Sequence, residues 1–483
     1  MNDLTQGSIL AKLLRFAVPL MAANLVSQLY NVVDTIIIGY AIGDHGIAAV
    51  GISFPIMMLF NALFMGVSMG GNIVISQMFG AKNEAGLRKA VNTTVFLAFM
   101  MGCLITVIGL TCARPLLRLL NTPSEIIADA AIYLMIIFGG TVGNLFFNLC
   151  SGMLRGLGDS RWPLYSMIIA TTLNIILDLT FALILRWGVA GVAIATIIAQ
   201  FTSGVILLCR INTGRYGVKV SLAQILKPDG YIVKNVIRLG MPSGLQMIAM
   251  SLGGLIIQSF ANNFGADFVT ANAVVQRVDG FAIMPIMGLG MATTTFSGQN
   301  IGAGNPARAR KGVYVALASI VSIAIVMGVV MWFAGPFIIR LFNVSDRVFT
   351  IGLNGIHWIC FFYAFMGMDH CIGGAMRGAG AAMRPLINSF IAQISRLVLT
   401  YLMAIIPLNN AIHAAVNAGE YASFELAKAA GVGRDGYMAL FYVMSIGMVL
   451  GAGLNFLYFK FGKWQDKGIT QRLGNTALGA EQR

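Results

Sequence analysis

Charge is scarce in this sequence. Only 10% of its 483 residues are Asp, Glu, Lys or Arg, against roughly 25% in an average soluble protein. That excludes an ordinary water-facing surface wrapped around one core. Cysteine is too sparse and too scattered for a disulfide framework or a zinc cluster: Cys103, Cys112, Cys150, Cys209, Cys360 and Cys371 fall mostly inside apolar runs. Of the four histidines, His357 and His370 have no partner at metal-ligand spacing. No HExxH, paired-aspartate or Ser/His constellation appears, which argues against an intramembrane enzyme. No small-residue cleavage site closely follows the first apolar segment, so that segment reads as a retained helix, not a cleaved signal.

What the chain does have is hydrophobic residues, 58% of the total. They gather into about twelve apolar segments separated by charged or Gly/Pro-rich breaks, the first at 13-40 and the last at 436-460. About 20 such residues span a bilayer as a helix. The fold class that follows is an all-α polytopic membrane protein with twelve transmembrane helices. An even number of spans puts both termini on one side. Seven basic residues then fall on the opposite side: Arg114, Arg118, Arg186, Arg340, Arg347, Lys428 and Arg434. Arg277 and Arg396 stay within spans, and the rest of the 32 share the side of the termini. Lys and Arg collect in cytoplasmic loops, so both termini are expected in the cytoplasm. The net charge of +14 then needs no nucleic-acid partner. The partner implied is the lipid bilayer.

The chain also repeats itself. QMFGAKNEAGLRKAV (77-91) matches QNIGAGNPARARKGV (299-313) at an offset of 222, and the same offset aligns GMLRGLGDSRWPL (152-164) with GAMRGAGAAMRPL (374-386). LRFAVP and IRLGMP open the two halves near Pro19 and Pro242. The expected organisation is an N-terminal six-helix bundle over 1-211, a basic cytoplasmic linker over 212-234, and a C-terminal six-helix bundle over 235-483. With six spans each, the halves run in the same direction, as parallel repeats about an axis near the membrane normal. An Ala-rich insertion near 409-435 has no counterpart in the first half and suits a short surface helix.

Twelve helices in two halves, VDTIIIG in the first helix, Q-x-x-G-A-x-N after the second and eighth, and LRGLGD after the fourth together resemble the multidrug and toxic compound extrusion (MATE) family, bacterial type. The likeness covers essentially the whole chain. It implies a V-shaped pair of bundles in the bacterial plasma membrane that export amphipathic, mostly cationic organic compounds. It also implies alternating access driven by antiport with H+ or Na+, with no cofactor beyond that ion. A monomer is expected.

Asp34 and Asp178 are acids inside apolar segments, where a charge is tolerated only toward a bundle interior or a wet cavity. Both lie at similar depth in the outer half of the N-terminal bundle, and both match the family's N-half network. Two carboxylates close together in low dielectric cannot both stay ionised, so such a pair takes up a proton. With amide and hydroxyl oxygens added it can instead ligate Na+. Asn174, four residues before Asp178 on the same helical face, and Thr196 at the same depth complete the candidate Na+ ligand set. Tyr133, near the outer end of the fourth segment, is the fifth candidate of the coupling site. Asn148 lies deeper and is a candidate for the substrate cavity.

The repeat does not carry the acids across: Asp178 aligns with Thr400, Asn174 with Arg396, and Asp34 with Ile256 or Ile257. Coupling is therefore expected in the N half. Arg277, Asp279, Asp369 and Arg396 remain as candidates for lining the cavity from the C half. Arg277 and Asp279 point to different sides of one helix, and an Asp369–Arg396 pair between two helices is expected. Pro19 is the candidate hinge. A flippase for a lipid-linked saccharide of the same broad superfamily is the alternative reading. It calls for several cations around the central cavity, and only Arg277 and Arg396 qualify. A channel suits two fused halves less well than alternating access.

Overall fold

The computed structural model describes residues 3–119 and 122–469. Among these, the regular elements are all helical. The first half runs through α1 (Ile9–Ile42), α2 (Asp44–Gly80), α3 (Glu84–Leu119), α4 (Ile127–Gly139), α5 (Thr141–Gly156), α6 (Arg161–Asp178) and α7 (Gly188–Asn212). A short α8 (Leu222–Ile225) lies in the linker. The second half runs through α9 (Gly230–Ala261), α10 (Ala266–Gly302), α11 (Pro306–Arg340), α12 (Asp346–Ile359), α13 (Tyr363–Gly378), α14 (Met383–Thr400), α15 (Ile406–Asn417), α16 (Phe424–Ala430) and α17 (Met438–Phe461). Eleven helical stretches are long and apolar enough to cross a membrane. The pair α4–α5, bent by 50° at Gly140, makes a twelfth. The twelve-span architecture read from hydropathy is the one observed.

The repeated motifs acquire physical reasons. Gly43 sits between α1 and α2 with φ 78°, and Gly265 before α10 with φ 90°. These corners lie 222 positions apart and take a backbone conformation open mainly to glycine. In the Q-x-x-G-A-x-N loops the asparagine starts the next helix. Asn83 Oδ1 accepts from the Gly86 amide at 2.8 Å and Asn305 Oδ1 from the Arg308 amide at 3.0 Å, satisfying donors that a helix start leaves open. The glycines mark a backbone crossing. A Cβ on Gly80 would run into the Gln299 carbonyl, and one on Gly302 into the Gln77 carbonyl.

The two glutamines form a reciprocal clamp. Both are fully buried. Gln77 Nε2 donates to the Gly378 carbonyl at 2.8 Å while its Oε1 accepts from the Ile469 amide at 2.7 Å. Gln299 Nε2 donates to the Gly156 carbonyl at 3.0 Å and its Oε1 accepts from the Leu4 amide at 3.1 Å. Gly156 and Gly378 are themselves the paired glycines of the second repeated motif, so each glutamine reads the opposite half. Among the described residues, the hydrogen bonds joining the two halves gather at or near this basic end, with Thr295 to Asn72 and Arg308 to Gly7 beside the clamp. The first turns of α1 cross over to the second half. Leu13, Phe16, Ala17 and Leu20 pack in a core with residues of α10, α11 and α13. Ile232, Val236 and Leu239 of α9 pack reciprocally against α2, α3 and α5. The basic end is therefore closed.

Pro19 lies inside α1 without interrupting it. After α6 the chain continues as a π-helical turn, Leu179–Ile184, and after α14 as another, Tyr401–Ile405. The π turns are thus scaffold common to both halves, and only the first follows an acid. The insertion near 409-435 is partly α15, which prolongs the eleventh span to Asn417, and partly α16. Its Ile412 and Ala427, with the adjoining Leu408, are buried against the second-half core, so the insertion caps the sparsely basic end of that half.

Candidate cation site and cavity

The site is built on helical periodicity. Tyr30 and Asp34 stand four apart on α1, and Asn174 and Asp178 four apart on α6, so each pair shares a face. α7 brings Thr196 and α4 brings Tyr133 to the same place. Tyr30 Oη and Thr196 Oγ1 are 3.3 Å apart. Asp34 and Asp178 are close neighbours, Asn174 lies beside Asp178, and Tyr133 stands near both acids. Asp178 and Asn174 are fully buried.

Despite this closeness, Asp34 Oδ1, both carboxylate oxygens of Asp178 and both amide atoms of Asn174 lack a hydrogen-bond partner of normal geometry. For the carboxylates the cause is chemical. Ionised carboxylates are acceptors only, so two of them face to face supply no donor, and an unpaired buried charge is expensive. A proton on one carboxyl gives an O–H donor to the other. A Na+ ion, which takes hard oxygen ligands, suits two carboxylates with an amide and a hydroxyl oxygen beside them. The residues present fit either ion. Five of the sequence candidates, Asp34, Asp178, Asn174, Thr196 and Tyr133, thus converge.

Toward the basic end of this cluster lies a cavity of about 210 Å³ within the first half. Ser27, Tyr30, Asn144, Asn148, Thr171 and Gln200 contribute to its lining, and no Lys or Arg does. Asn148 is therefore in the cavity and outside the acid cluster, its Nδ2 donating to Asn144 Oδ1 at 2.7 Å. Buried Thr171 Oγ1 and Gln200 Oε1 have no protein partner. Sequence reasoning passed over Tyr30, Thr171, Gln200 and Asn144. Each stands three or four residues from a residue it did select (Asp34, Asn174, Thr196 and Asn148), so one helical turn was the available signal.

The second-half candidates do not form a matching cluster. Arg277 is exposed and Asp279 buried, so they do face different ways. Asp279 Oδ1 accepts from the Tyr363 hydroxyl. The expected Asp369–Arg396 pair is not formed. Asp369 Oδ1 accepts from Asn455 Nδ2 at 2.6 Å, and Asn455 Oδ1 in turn accepts from Asn388 at 2.7 Å. Arg396 NH1 donates instead to Gln393 Oε1 at 2.9 Å. The two side chains stand one turn apart along α17, Asp369 beside Gly451 and Arg396 beside Gly447. A neutral amide nearer to hand engages each of them, and the buried Arg396 Nε is left without a partner.

The MatE family model matches residues 19–180 and 242–402, one stretch in each half. The chain is 30% identical to the probable multidrug resistance protein YpnP of Bacillus subtilis, over 81% of this chain and 87% of that protein. It is 26% identical to the probable multidrug resistance protein NorM of Thermotoga maritima, over 97% of this chain and 96% of that one. Among solved structures, a crystal structure of MATE in the bent conformation superposes with a TM-score of 0.84 at 23% identity, covering 95% of this chain and 96% of the other. The repeated glycine corners, the glutamine clamp and the family match lead to one conclusion: this chain belongs to the MatE family, the multidrug and toxic compound extrusion proteins, and is a multi-pass membrane transporter, not an enzyme.

Proposed function

We propose that the protein exports amphipathic, mostly cationic organic compounds from the cytoplasm by antiport with H+ or Na+. On this reading the halves 1-211 and 235-483, joined by 212-234, move against each other, and the ion binds at Asp34 and Asp178. The observation that carries it is the pair of acids whose buried oxygens lack donors, placed directly beside a polar cavity. An ion that binds there must differ in affinity between the outward-facing and inward-facing states, or it shifts nothing. Coupling is reciprocal, so ion binding must also change substrate affinity. With the basic end assigned to the cytoplasm, the clamp closes the inner side, as an outward-facing or occluded state requires. The ion enters from outside and favours release of the compound there.

A lipid-linked saccharide flippase is disfavoured because no Lys or Arg lines the first-half cavity and Arg396, one of the two cations within spans, is engaged with Gln393. The relatives named above are multidrug resistance proteins, which supports the choice of substrate class. The test is transport of a cationic dye by purified protein in liposomes, with H+ and Na+ gradients imposed separately. Dye movement driven by one of the gradients is expected. Movement that ignores both gradients would sink antiport, and movement of lipid-linked saccharide without dye would sink the substrate class.

A further inference from the structure

At the basic end of the first half, outside the transport cavity, lies a second cavity of about 290 Å³. Five cationic side chains line it: Lys12 and Arg15 of α1, Arg161 at the start of α6, Arg210 near the end of α7, and Arg215 just beyond it. The acid that lines it is already committed. Asp159 Oδ1 accepts from the Arg161 and Trp162 amides at 3.0 and 3.3 Å, capping α6. Its Oδ2 accepts from the Tyr216 hydroxyl at 2.6 Å and lies 4.0 Å from Arg210. Burial, the Asp159 acceptor and its charge hold the Tyr216 phenol above its ordinary range, so it remains a donor. Arg210 is fixed further by Tyr216 Oη at 3.1 Å and by stacking 4.7 Å over the Trp162 ring. Lys12, Arg15, Arg161 and Arg215 form no ion pair among the described residues.

The surroundings select the ligand. Trp162 and Tyr165 pack edge to face at the rim, with ring centroids 5.9 Å apart. One turn further along α6, Ile168 and Ile169 are exposed. Aromatic residues followed by bare aliphatic ones mark the passage from headgroup level to acyl-chain level. A soluble anion would use the cations alone and gain nothing from the aliphatic strip beside them. A phospholipid uses both.

We propose that this cavity binds the phosphodiester headgroup of an anionic phospholipid of the cytoplasmic leaflet, with the acyl chains lying along α6. Basic clusters between transmembrane helices on this side attract such headgroups. The site also has a mechanical consequence. α1 contributes Lys12 and Arg15 to the cavity while its Leu13 and Phe16 are buried in the second-half core. A headgroup held here ties the second half, through α1, to α6 and α7, and so favours the closed cytoplasmic side.

The test is native mass spectrometry of the full chain in detergent, titrated separately with phosphatidylglycerol and phosphatidylcholine. Phosphatidylglycerol is expected to bind the wild type preferentially. The preference is expected to fall roughly a hundredfold in the triple variant Lys12→Gln, Arg161→Gln, Arg215→Gln, since each basic residue contributes on the order of 1 kcal/mol. Arg215→Gln alone, in an exposed loop, should lower it severalfold and covers the case in which the triple variant does not fold. Lys311→Gln, an exposed basic residue elsewhere on the same side, should leave it unchanged. An undiminished preference in Arg215→Gln, or an equal drop in Lys311→Gln, would overturn the site. Displacement of the lipid by glycerol 3-phosphate at matching concentration would show a soluble phosphate ester to be the ligand and overturn the lipid assignment.

Discussion

On the proposed mechanism Asp34 and Asp178 act only if their charge can change, and this sets what substitution does. Asp34→Asn or Asp178→Asn keeps the shape of the side chain and removes the titratable group. Each is expected to abolish ion-driven dye export in liposomes while leaving folding and insertion intact. Asp369→Asn should reduce export less, because Asp369 is engaged with the Asn455–Asn388 amide chain and has no second acid beside it. Loss of coupling in Asp369→Asn with full coupling in Asp34→Asn would move the site to the other half. Tyr30→Phe removes only the contact with Thr196. A net hydrogen bond is worth about 0.5–1.5 kcal/mol, so ion affinity, read from the ion dependence of dye binding, should shift severalfold without loss of transport. These residues show what was legible at this scale. The acids announced themselves because a carboxylate in an apolar run demands an explanation. Tyr30, Thr171 and Gln200 did not, because a tyrosine, threonine or glutamine in a membrane helix carries no such demand until its neighbours are known.

At the scale of elements, the repeated loops hold the two halves together at the basic end, and on the proposed mechanism they would act as a gate. The clamp of Gln77 and Gln299 joins the halves through four hydrogen bonds whose partners are all backbone. Inward opening has to break them. Gln77→Leu or Gln299→Leu removes the amide and leaves the facing Gly378 or Gly156 carbonyl without its donor. Either variant is expected to populate the inward-facing state, seen as increased labelling of a cysteine placed near the clamp by a thiol reagent added from the cytoplasmic side. Unchanged labelling would show the helix crossing at Gly80 and Gly302 to be sufficient closure by itself.

A second element-scale prediction concerns Asp229, the N-cap of α9. It accepts from the Tyr231 and Ile232 amides at 3.0 and 3.2 Å and lies 3.2 Å from Lys89 of α3. Partial burial raises its carboxyl, but the Ile232 amide, Lys89 and the Tyr231 amide outweigh this and hold it below the ordinary carboxylate range. A depressed folded-state value means the stabilisation is present above the unfolded value and is lost as pH falls through the folded one. Asp229→Ala should cost about 1 kcal/mol at neutral pH. That difference from wild type should shrink in thermal melts as pH falls below the ordinary carboxylate range. A constant difference at all pH values would show that packing, not charge, is responsible.

For the whole molecule, the basic end has to face the cytoplasm for the transport direction to hold. Single cysteines at Arg118 and Glu420, both exposed, should label from outside in intact cells with an impermeant reagent. Cysteines at Glu84 and Lys311, exposed at the basic end, should not. The reverse pattern would turn the transporter over and make the closed side external.

The twelve spans, the repeat at an offset of 222, the basic asymmetry of the loops and the two acids of the N half can all be read along the chain without any contact being known. All of these rest on one-dimensional properties, namely hydropathy, spacing and charge, which a bilayer converts almost directly into topology. Only the packing of the helices reveals what the motifs contact. That Gln77 reads Gly378, that the start of α1 belongs to the core of the opposite half, and that Asp369 turns to Asn455 and away from Arg396 all depend on which helix faces come together. Helical spacing fixes which residues share a face, but a face does not name its partner. Between two long helices, many registers bury similar apolar area, and the choice falls to a few close glycine crossings and a few buried polar groups that must find donors and acceptors across the chain.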